Sequence, residues 1–149
     1  MVEKIEREKK QEQHLFYTSL KYTKTGDVMV NVIKKMAEVM ALAIDEVMKS
    51  AKKKKLISSI PSTPKEKTEL MKSIFKKDKE ILEMLDFYEI ARKVESYKRV
   101  AEGEFRKGVR LKLFINDEVL TIDVEKLTEI QKKFEGFIEA MEKFIRAKS

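Results

Sequence analysis

Between Val28 and about Ala51, apolar side chains recur at Met29, Val32, Ile33, Met36, Val39, Met40, Ala43, Ile44 and Val47. Steps of three and four residues put them all on one broad stripe of an α-helix. A stripe that wide has to be covered along its whole length, so this helix belongs at the centre of a helical core. Hydrophobic residues make up 42% of the 149-residue chain, enough to cover it. Charged residues make up 40%, against about a quarter in an average soluble domain, so the covering elements must be strongly amphipathic.

The punctuation around the stripe defines those elements. In "SSIPSTPKEKTEL", Pro61 and Pro64 forbid a continuous helix. Thr63, Pro64 and Glu66 supply an N-cap, a proline at the first helical position and a capping-box partner. A short helix is expected from Pro64 to about Phe75, burying Leu70, Met71, Ile74 and Phe75. Asp78 starts another, with Ile81, Met84, Leu85, Tyr88, Ala91 and Val94 on one stripe, fading near Gly103. Upstream, Asp27 is expected to cap the central helix. The stretch before it is helical in propensity, with Leu15, Phe16, Ser19, Leu20 and Tyr22 as its packable part and residues 1–13 frayed or projecting.

A change of period interrupts the helices. Val109, Leu111, Leu113 and Ile115 alternate with Arg110, Lys112 and Phe114, then "ND" offers turn chemistry at Asn116 and Asp117. Leu120, Ile122 and Val124 alternate back, which predicts a β-hairpin at about 109–124. Asp123 then caps a last helix whose Leu127, Ile130, Phe134, Phe137, Met141 and Phe144 form a coiled-coil-like seam. The fold class is mainly α: one domain over 1–149, a four- to five-helix bundle with a hairpin before the C-terminal helix. Met36, Met40, Ile44, Leu85 and Tyr88 are its expected core.

Several chemistries lack their residues. Without cysteine there is no disulfide, thiolate nucleophile or zinc knuckle. The single histidine, His14, lies among polar neighbours and reads as a surface residue. No cluster has metal-ligand spacing and no glycine-rich phosphate loop is present, so neither metal nor cofactor is expected. "MVEKIEREKKQEQ" has no signal-peptide pattern, and no apolar run spans a bilayer, so a cytoplasmic setting away from membranes is expected. Abundant Lys and Glu with few Asn, Gln and Cys resembles a heat-adapted composition.

The formal charge of +7 is unevenly spread: residues 49–79 carry +8, 80–91 carry −4, 92–112 carry +5, 113–149 carry −2, and 1–48 balance. "KSAKKKK" complements the C-terminal dipole of the central helix. In the second basic block, Lys98, Arg99, Arg106, Lys107, Arg110 and Lys112 are clustered enough to meet phosphates, with Tyr97 and Phe105 as stacking candidates. Gly103 and Gly108 flank "EFRK" and let backbone approach closely there.

The helix around "FYTSLKYTKTGD", the long apolar helix, the loop "KKKKLISSIPSTPKEKTELMKSIF" and the helix after it resemble the HEPN domains over residues 14–100. The resemblance implies a small helical bundle, often dimeric. Ribonuclease members of that family carry an Arg followed several residues on by a His. Here Arg99 is followed by Glu104, Phe105 and Arg106, and Arg92 likewise has no histidine after it. The resemblance therefore implies a dimeric bundle without the nuclease motif.

Two readings of function follow. The first is a noncatalytic interaction protein, a homodimer or partner of another protein, self-associating through the hairpin face Leu111, Leu113, Leu120 and Ile122 and the seam Phe134, Phe137, Met141 and Phe144. A lone hairpin is unstable with such a face in water, and a twofold pair would cover it. The alternative is an RNA- or DNA-binding protein using the basic segment 98–112.

Overall fold

The computed structural model describes residues 2–22, 24–106 and 108–147. Helix α1 (Val2–His14) runs through a π-helical turn (Leu15–Ser19) into the short α2 (Leu20–Tyr22). The central α3 (Gly26–Lys53) is followed by α4 (Pro64–Ile74), α5 (Lys79–Ala91) and a 3-10 turn at Val94–Ser96. Strands β1 (Lys98–Glu102), β2 (Arg110–Ile115) and β3 (Glu118–Asp123) precede the last helix, α6 (Val124–Arg146).

Helix starts follow the side chains available to cap them. Thr63 Oγ1 accepts the Glu66 amide as the expected N-cap, and Glu66 takes a 2.8 Å bond from the Thr63 hydroxyl, where the full capping box would have it accept the Thr63 amide. Asp78 accepts from the Ile81 amide, and Asp123 from the Lys126 amide at 2.7 Å. At α3 the cap is Thr25, not the expected Asp27: Thr25 Oγ1 accepts from Val28, and Asp27 falls inside the first turn. There its charge still suits the helix dipole.

The α3 stripe is buried from Met29 to Ala51, and Met36, Met40, Ile44, Leu85 and Tyr88 all lie in the core as expected. Helices α1, α5 and α6 cover it, with α4 packed on α3 and α5. Helix α1 neither frays nor projects. Ile5 and Glu12 are fully buried between α1 and its neighbours α3 and α6. One apolar contact per few turns suffices to hold a helix whose other positions are charged, and so short a signal hides in a polar sequence.

The expected hairpin is present as β2–β3, turning at Asn116 (φ +57°) beside Asp117. A third strand joins it. The α5 helix stops at Ala91 instead of fading near Gly103, and Lys98–Glu102 pairs antiparallel with β2, giving the order β1-β2-β3. "KRVAE" has no apolar alternation of its own. Its pairing with β2 overrides local helical propensity, as strand context commonly does. The sheet rests on α3 through Gly26, where an added Cβ would sit 2.6 Å from the Cβ of Ala101. No side chain fits between the start of α3 and β1.

Candidate functional site

The register divides the sheet into two unlike faces. Leu111, Leu113 and Ile122 point inward and are fully buried, with Leu120 half-buried beside them. The opposite, solvent face carries three cross-strand rows: Lys98–Phe114–Val119, Val100–Lys112–Thr121 and Glu102–Arg110–Asp123. Val100, Phe114 and Val119 retain 43%, 37% and 51% of their surface in contact with water. Neighbouring strands lie about 4.8 Å apart and alternate residues about 7 Å apart, so these three side chains form one patch. Lys98, Lys112 and Arg110 share the face with it. Lys112 pairs with Glu102 at 2.7 Å, and its ammonium holds the Glu102 carboxyl below the usual carboxylate range.

The β1–β2 loop extends this face to a corner of the molecule. Gly103 takes φ +65°, and an added Cβ would meet the Gly108 carbonyl oxygen at 2.9 Å, so glycine is required there. Glu104 accepts the Gly26 amide at 3.1 Å, occupying the start of α3, and the Phe105 amide donates to the Lys24 carbonyl at 2.6 Å. Both bonds pin the loop to the link between α2 and α3. The Phe105 ring is left 76% exposed, and so is that of Tyr22.

The six cations expected to meet nucleic acid are therefore split. Lys98, Arg110 and Lys112 share the solvent face, and Arg106 is exposed in the adjoining loop. Arg99 lies on the inner phase at the margin of the sheet, 3.8 Å from Asp27. It is on a strand, not late in a helix. Lys107 lies outside the described residues. Of the expected stacking residues, Phe105 is exposed and Tyr97 half-buried. Tyr22, expected to pack with Phe16 and Leu20, stands in solvent instead, and Phe114 was expected only as the polar phase of a strand. Phe114 carried a signal, an aromatic ring at the polar phase of an alternating strand.

The residues assigned to self-association are largely spent within one chain. Leu111, Leu113, Ile122, Phe134, Phe137 and Met141 are core residues. Leu120 and Phe144 are half-buried, and Phe144 is covered by the Phe75 ring at 5.3 Å and by the Lys54 ammonium at 4.0 Å. The instability of a lone hairpin is thus resolved by α3 and α6 together with β1, without a second copy.

A second polar feature lies inside the molecule, between α1 and α6. Gln131 Nε2 donates to Glu12 Oε1 at 2.7 Å and to Glu135 Oε2 at 2.8 Å, and the Tyr17 hydroxyl donates to Glu135 at 3.0 Å from the π-helical turn. Glu12 Oε2 and Gln131 Oε1 have no partner among the described residues. Burial pushes the Glu12 carboxyl up to about 7, outweighing the Gln131 bond that lowers it. Farther along the seam, burial and then the Glu6 carboxyl beside it raise Glu142 to about 7. Lys9 and Arg146 only partly oppose that rise.

Among the described residues, no group of three or more His, Asp or Glu side chains could hold a metal ion, and no helix is long and apolar enough to cross a membrane. A surface depression of about 910 Å3 runs along α1 beside Arg146 and includes the exposed His14. Stems of charged residues form much of its wall, without convergent polar groups buried at its base. No family model matches the chain, and neither a curated protein nor a solved structure does.

Proposed function

We propose that this chain is a noncatalytic binding protein whose working surface is the solvent face of the sheet, and that this surface takes nucleic acid. The observation behind the reading is the Lys98–Phe114–Val119 row beside Lys112 and Arg110, an aromatic ring set among cations on a face that none of the described residues covers. Cations neutralise phosphates, and an exposed ring offers stacking to any base. Contiguous exposed apolar surface on a small domain generally marks an interaction site. Glu102 moderates the affinity, because a phosphate must compete with it for Lys112.

The test is fluorescence anisotropy of a labelled oligonucleotide across a salt series. Binding should weaken linearly in log salt, with a slope near −0.7 to −0.9 for each phosphate neutralised. The triple variant Lys98→Glu, Arg110→Glu, Lys112→Glu should abolish it. Binding indifferent to salt and to that variant overturns the reading. A homodimer, expected from the sequence on the Leu111–Ile122 face and the last-helix seam, would if seated on this patch instead appear in light scattering as a mass that doubles with concentration and reverts in Phe114→Lys.

A further inference from the structure

The most exposed large hydrophobic side chains among the described residues are two aromatics, Tyr22 and Phe105, both 76% exposed. They come from segments some eighty residues apart, and the Phe105 amide to Lys24 carbonyl bond ties those segments together. Lys21 lies 5.7 Å from the centroid of the Tyr22 ring, and exposed Arg106 follows Phe105. The corner therefore presents rings and cations outward, with the exposed Asp27 carboxylate at 3.8 Å from Arg99 and Glu104 bonded to the Gly26 amide.

Phe105 is also held at φ +66°, in the left-handed region where a residue with a Cβ is strained and glycine is not. Strain at an exposed position gains nothing from packing. The ring is kept there at a cost to the fold, and such retained strain points to function.

We propose that the Tyr22–Phe105 corner is a base-stacking platform for single-stranded nucleic acid, continuous through Arg110 and the β1–β2 loop with the sheet face. The inference rests on the nucleic-acid reading above and narrows its ligand class. Stacking on a protein ring requires an unpaired base with an open face, which a duplex does not present away from its ends. Phe114 at the far end of the sheet and Phe105 at the loop tip then act on the same strand, with Lys98, Lys112, Arg110 and Arg106 along its phosphates.

The experiment compares a labelled 12-nucleotide oligo-uridylate with an RNA duplex of equal length, against the full chain and its variants Phe105→Gly and Tyr22→Ala. The single strand should bind more tightly, and each variant should weaken it about fivefold or more, the loss of one stacked base. Phe105→Gly relieves the left-handed strain, so its thermal midpoint should be unchanged or higher while its affinity falls. Equal, salt-sensitive binding of both RNAs that survives Phe105→Gly overturns this inference and leaves the sheet-face reading standing. Binding of neither RNA overturns both. Vesicles of phosphatidylserine and phosphatidylcholine form the last arm. Capture by vesicles, lost in Phe105→Gly, with no preference for single strands, overturns the platform in favour of a membrane wedge.

Discussion

The seam between α1 and α6 and the solvent face of the sheet invert each other. In the seam, the carboxyls of Glu12 and Glu142 are buried, and Glu12 Oε2 lacks a hydrogen-bond partner among the described residues. On the sheet, Val100, Phe114 and Val119 stand in water with uncovered apolar surface. Each arrangement costs the fold free energy, but the two costs answer to different variables. The buried acids respond to proton concentration, because a neutral carboxylic acid tolerates burial and a carboxylate does not. The exposed apolar side chains respond to whatever covers them. A structure read only for stability would treat both as defects, while the comparison separates a titrating interior from a receptive surface.

The sharpest way to break the comparison lies within the sheet itself. Leu113 and Phe114 are neighbours in sequence and occupy opposite faces. Leu113→Ala should cost about 2–5 kcal/mol in urea unfolding, since Leu113 is fully buried. A loss below about 1 kcal/mol would mean that the inner face does not carry the core assigned to it.

The seam comes next in size. Glu12 and Glu142 have folded-state values raised to about 7 from 4.5, so their stabilising contribution is full below the unfolded value and is lost as pH rises through about 7. Between pH 5.5 and pH 8.5 the protein should lose stability, by about 2 kcal/mol if one such group dominates. Below the ordinary carboxylate range the trend reverses. Glu89 is held low by Arg92 and Thr68 against its own burial, and Glu6 is lowered by its bond to Glu142. Their contribution disappears as they protonate. Glu12→Gln should flatten the alkaline loss and raise stability at pH 8.5. An equal pH slope in wild type and variant would remove Glu12 from the account.

The smallest expected effect is the most diagnostic for function. Phe114→Ala should cost about 1 kcal/mol, well below Leu113→Ala, since its ring lies off the core and loses only cross-strand contact with Lys98 and Val119. Its effect on nucleic-acid affinity should be the larger of the two. If Phe114→Ala destabilises as much as Leu113→Ala, the sheet has no free face and the inversion fails.

The helices were legible because their signals are local and repeated. The spacing from Met29 to Val47, the Thr63 cap with Pro64 behind it and the Asp78 and Asp123 caps each needed only neighbouring residues, and the structure has them all. The β2–β3 hairpin was legible through its alternation and its Asn116–Asp117 turn. Strand β1 was not, because "KRVAE" becomes a strand only by pairing with β2. The packing of α1 was hidden as well, since Ile5 is a lone apolar residue among charges until α3 and α6 surround it.

The site divides in the same way. Sequence alone determined the main helices and the β2–β3 hairpin, where the cations cluster along the chain, and that cysteine chemistry is closed to this protein. It placed Lys98, Arg106, Arg110 and Lys112 in one segment, yet the strand register decided that Lys98, Arg110 and Lys112 share a face and that Arg99 does not. Only the tertiary structure tied the loop of Phe105 to Lys24 in the α2–α3 link, spent the Phe134–Met141 seam inside the chain, and set Glu12 against Gln131. The physical reason is range. Capping and periodicity act over three or four residues, whereas burial, register and pairing of charge depend on partners up to 119 residues away.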